Sequence, residues 1–142
     1  MKTSTLTVLL QIAGLLHVGL LLAGATMPRA VNLRAHLTLL PSFIRKLFLV
    51  YYSFIGLLLI GFGLLTFFFA SELATGQPLG RALCILLTSF WTARLVVAGF
   101  IFDVRPYLTN WFYRLGYQAT NFVFVYFVFI YGATAFNNLV WN

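Results

Sequence analysis

Arg94 stands inside SFWTARLVVAGFIFDVRP, residues 89–106, a run with no other formal charge before Asp103. A guanidinium is permanently ionised and presents a planar fork of donors, so the chemistry it offers is recognition of an anion or of carbonyl oxygens. Nine residues separate it from Asp103, about 13 Å at the rise of a helix. Helical side chains lean toward their own N-terminus, so Arg94 leans away from the nearer polar end. The other polar groups at comparable depth are His17, Tyr51, Tyr52, Ser53, Asn121 and Tyr126. Brought together, they would form a cationic, hydroxyl-lined pocket for an anionic amphiphile or a quinone-like molecule. The competing reading has Arg94 and His17 bonding backbone carbonyls or tyrosine hydroxyls between packed helices.

Several chemistries are excluded. Glu72 and Asp103 are the only acids among 142 residues and lie far apart in the chain. They supply neither a paired acid and base nor a carboxylate relay inside a membrane. There is no phosphate-binding glycine loop, serine elbow or metal-spaced His/Cys cluster, so no catalytic residue and no metal ligand is assigned. Cys84 is a lone thiol in an apolar segment, which rules out an intrachain disulfide. No cofactor is required, although the aromatic density leaves room for bound lipid, quinone or pigment.

The elements that must position these groups follow from composition. Hydrophobic residues make up 62% of the chain and charged residues 8%, with a mean hydropathy of +0.98. Eleven charged side chains cannot solvate a surface of this size. Four runs reach the roughly 20 residues needed to cross a hydrocarbon core: about 5–25, 47–71, 79–102 and 119–140. Backbone exposed to lipid must bond internally, which makes these runs helices. The expected fold is a single all-α membrane domain, four transmembrane helices in an antiparallel bundle. Met1–Lys2, a leucine run and AGAT also fit a signal peptide, but the length of the run, Gln11 and His17 favour a retained helix.

The connections carry their own signals. Between Pro28 and Pro41, Leu33, Leu37 and Leu40 share one side while Arg29, Asn32 and His36 take another, the pattern of a short amphipathic helix in the headgroup layer. ELATGQPLG, 72–80, reads as a tight turn. The loop 26–46 holds Arg29, Arg34, Arg45 and Lys46, and the loop 103–117 holds Arg105 and Arg114. The opposite side has Lys2 and Arg81, so the charge bias puts both basic loops in the cytoplasm, both termini outside, and the protein in a bacterial cytoplasmic membrane. The net charge of +7 then meets anionic lipid headgroups rather than nucleic acid. Trp111, Tyr113 and Trp141 fall where interfacial aromatics belong.

Four spans in about 140 residues, with Ala93-Arg94-Leu95 in the third and a basic loop after it, resemble in outline the membrane glutathione-transferase superfamily. The resemblance implies an arginine-rich cytoplasmic face that binds and activates a tripeptide thiol. It stops at the outline, because the asparagine and glutamate of that family's second span are missing from LFLVYYSFIGLLLIGFG, 47–63. The leading expectation is a non-catalytic subunit that associates with other membrane subunits or with itself. A binder of an anionic amphiphile comes second, and a thiol- or lipid-modifying enzyme third.

Overall fold

The computed structural model describes residues 2–101, 105–107 and 109–137, without the side chain of Arg105, and over these it is helical. Expectations for Asp103 and Trp141 lie outside the described residues. Four helices are long and apolar enough to cross a membrane: α1 (Thr3–Ala30), α3 (Ser42–Phe68), α5 (Pro78–Val96) with its continuation to Ile101, and α6 (Trp111–Asn137). Among the described residues the other helical elements are two short helices, α2 (Leu33–Thr38) and α4 (Ala70–Thr75), and a 3-10 turn at Arg105–Tyr107.

Local chemistry sets the breaks. α1 runs through Pro28 and ends at Ala30. The chain then reverses at Asn32, whose φ of 47° is a left-handed conformation that asparagine tolerates better than most residues. α2 falls within the stretch expected to be helical between the prolines. α4 ends on Gly76 at φ 73°, and Pro78 occupies the first turn of α5, where its missing N–H costs nothing. Val97–Ile101 continues α5 as a π-helix.

Three boundaries differ from expectation. The fourth long helix starts at Trp111 rather than near 119, because Arg114 and Gln118 are carried in two polar leading turns of the helix instead of interrupting it. α3 starts at Ser42, five residues before the expected span, and stops at Phe68. The first half of the expected tight turn belongs to α4, whose Ala70, Leu73 and Ala74 are buried and which packs against α1.

The core is unevenly distributed. Buried side chains fall at Leu6–Leu20 of α1, Gly63 and Thr66 of α3, Cys84–Trp91 of α5 and Phe124–Ala135 of α6. Residues 21–30, 42–62, 92–101 and 111–123 hold no buried residue. α1 packs on α3 and α6, and α6 packs on α5. Two glycines allow the α1–α3 approach. A Cβ on Gly14 would lie 2.7 Å from the Cβ of Phe67, and one on Gly63 would lie 2.9 Å from the Cβ of His17. One polar pair spans the core: the hydroxyls of Thr66 and Tyr131 are 2.8 Å apart.

Candidate functional site

Trp91 is the centre of an aromatic cluster, 1% exposed, contributed by α5. Its ring stacks on Phe124, with centroids 5.3 Å apart, and tilts against Phe127 at 4.7 Å. His17 of α1 lies on the other side of this cluster. It is wholly buried, stacked on Phe127 at 4.3 Å and edge-on to Trp91 at 5.4 Å. Its Nδ1 lies 2.8 Å from the carbonyl of Ala13. A carbonyl oxygen only accepts, so Nδ1 donates, and in the neutral ring Nε2 carries a lone pair. That Nε2 and the indole N–H of Trp91 are both buried and have no hydrogen-bond partner among the described residues. His17 is thus an aromatic core residue tied to its own helix.

Arg94 lies one turn further along α5 and is exposed. Its guanidinium carbon sits 6.0 Å from the centroid of Phe124, at the outer limit of a cation–π contact. It makes no hydrogen bond or ion pair within the described residues. The structure thus places Arg94 and His17 apart rather than together in one enclosed pocket. Trp91 and Phe124 fill the space between them, because on a helix residues 91 and 94 are adjacent but point about 60° apart.

The hydroxyls expected beside Arg94 are taken up elsewhere. Tyr52 donates to the carbonyl of Gly24. Pro28, four residues on, has no N–H, so this carbonyl loses its helical donor and the tyrosine replaces it. Tyr126 donates to the carbonyl of Leu9 at 2.8 Å, eight residues before His17 in α1. With α6 starting at Trp111, Tyr126 lies in the middle of its helix and not early in it. Ser53 is exposed and donates to the Leu49 carbonyl of its own helix. Tyr51 is exposed and Asn121 half-buried. Sequence reasoning missed Tyr117, whose hydroxyl donates to the Ala98 carbonyl in the π segment at 3.2 Å.

The basic residues sit at element ends. Arg29 lies in the last turn of α1, Arg34 in α2, Arg45 and Lys46 in the first turns of α3, and Arg114 in the first turn of α6. Arg29, Arg34, Lys46 and Arg114 are exposed and Arg45 half-buried, while the side chain of Arg105 lies outside the described residues. Among the described residues, no three His, Cys, Asp or Glu side chains group as they would around a metal. The two clearest surface depressions are shallow and apolar, one lined by Leu16, Phe122, Tyr126 and Phe129, the other by Leu49, Ser53 and Leu57. No protein-family model, curated protein or solved structure matches the chain.

Proposed function

We propose that the chain is a non-catalytic subunit of a larger membrane assembly, an antiparallel four-helix unit that docks through the face of α5 carrying Arg94. The observation that carries this reading is an exposed, unpaired arginine in a membrane-length helix. An arginine near the centre of a span costs at least about 2.5 kcal/mol to insert, and such residues usually face a protein neighbour or an aqueous cavity. An antiparallel course is supported by the pairs Gly14 with Phe67, His17 with Gly63 and Gly24 with Tyr52, which run in opposite directions along α1 and α3. The tyrosines are occupied by backbone carbonyls, which favours the subunit over a pocket that closes around an anionic amphiphile. In this reading the basic turns face the cytoplasm, with Arg29, Arg34, Arg45, Lys46 and Arg114 against anionic headgroups, while α4, the start of α1 and the end of α6 face the other side.

The test is extraction from the native membrane in mild detergent, comparing wild type with Arg94→Leu. The subunit reading expects wild type in a species well above the mass of the 142-residue chain, and Arg94→Leu folded but released from it. A wild-type chain that runs alone, or an Arg94→Leu variant retained in full, would overturn it.

A further inference from the structure

We infer that the partner at Arg94 is a transmembrane helix of a different chain, carrying a carboxylate at the depth of that guanidinium. This inference rests on the subunit reading and names the chemistry of its partner. Arg94 is seven residues before Ile101, the last described residue of this candidate span, so at least about 10 Å of apolar helix lies between it and that end. A bilayer offers no anion there, because lipid phosphates stay in the headgroup layer. A second copy of this chain offers none either. A membrane holds every copy of one chain at one depth, so each would present its acids at the levels of its own Glu72 and Asp103. Glu72 is in α4, beyond the opposite end of α5, and Asp103 is nine residues past Arg94 in the sequence. Self-association would therefore bring arginine toward arginine with no carboxylate between them.

The surroundings of Arg94 fit a helix as occupant. Residues 92–101, 111–123, 21–30 and 42–62 hold no fully buried side chain, so these stretches of the long helices keep faces free of contact. Ala93, next to Arg94 in sequence, and Gly99, five residues on, are exposed, and a Cβ on Gly99 would meet nothing within 4 Å. Small residues let another backbone come close. A carboxylate brought against the fork of Arg94 can accept two parallel N–H bonds, the strongest pairing open to a guanidinium in a medium without water.

The experiment uses the full chain in phosphatidylcholine vesicles, with a donor fluorophore on Lys2→Cys. Acceptor-labelled host helices of leucine and alanine carry lysines at one end and, seven residues inside that end, a glutamate, a glutamine or a leucine. The expected result is association with the glutamate host at least tenfold tighter than with the leucine host, and loss of that preference in Arg94→Leu. As a control on folding, Arg94→Glu should reverse the preference toward a host with arginine at the same depth. Equal association of wild type with the glutamate and leucine hosts, or a preference that survives Arg94→Leu, would overturn the inference. So would a preference abolished by phosphatidylglycerol, which would assign Arg94 to lipid phosphate. A chain that runs alone from its native membrane yet prefers the glutamate host sinks the subunit reading and leaves the pairing standing. A large native assembly with no host preference does the reverse.

Discussion

One of the side chains that sequence marks as chemical answers a defect in the backbone. Tyr52 closes the carbonyl that Pro28 opens, and this predicts a coupling. Tyr52→Phe should destabilise the chain by about 1–3 kcal/mol, the cost of an unsatisfied carbonyl. The same substitution in a Pro28→Ala background should cost much less, because residue 28 then bonds Gly24 itself. Chemical unfolding of the four proteins in detergent, read as a double-mutant cycle, checks this. The glycines give a second contrast. Gly14→Ala and Gly63→Ala meet neighbours at 2.7 and 2.9 Å and should cost about 1–3 kcal/mol from overpacking. Gly19→Ala and Gly61→Ala meet nothing within 4 Å and should be neutral or stabilising by about 1 kcal/mol, as Gly→Ala in a helix generally is. Thermal unfolding of the four variants separates the pairs. At this scale the place of Arg94 inside a membrane-length helix was legible in the sequence, but its direction was not. That depends on how α5 is rotated against Phe124, a contact 30 positions away in the chain.

Among the elements, the long helices were the easiest to read, because no other structure satisfies so much backbone in apolar surroundings. The errors came where polar residues occur inside helices. Arg114 and Gln118 looked like loop and form the first turns of α6. Ala70, Leu73 and Ala74 have the i, i+3, i+4 spacing of a helix face, yet the Gly-Gln-Pro that follows them drew the whole stretch into a turn. α4 matters for packing, since Leu73 is 3% exposed against 82% for Leu79 a few residues on. Leu73→Ala should therefore cost about 2–5 kcal/mol and Leu79→Ala almost nothing, which detergent unfolding midpoints will show. The π segment could not be read at all. Its sequence, Val97–Ile101, is ordinary for a membrane helix, and its signature is the Tyr117 hydroxyl that meets the Ala98 carbonyl.

For the molecule as a whole, the lopsided core governs behaviour. Backbone amides near Leu10, Leu87 and Ile130 should exchange with solvent deuterium far more slowly than those of 21–30 and 111–117, where no side chain is buried. Mass spectrometry of peptides from the protein in lipid nanodiscs reads this gradient, and uniform protection in the isolated chain would contradict it. In the orientation proposed from the charge bias, a cysteine at position 34 should label only from the cytoplasmic side and one at 75 only from the opposite side. Orientation could be argued from sequence because it depends on where charge sits, whereas the imbalance of packing could not, since hydropathy reports how apolar a segment is and not which of its faces meets another helix. That imbalance extends to the lipid itself. In the proposed orientation the two leaflets would meet different surfaces, one a filled contour, the other helices with no fully buried side chain, tied together at points such as Tyr52 to Gly24 and Tyr117 to Ala98. Fatty-acid length and unsaturation in the second leaflet should therefore influence this protein more than the same changes in the first.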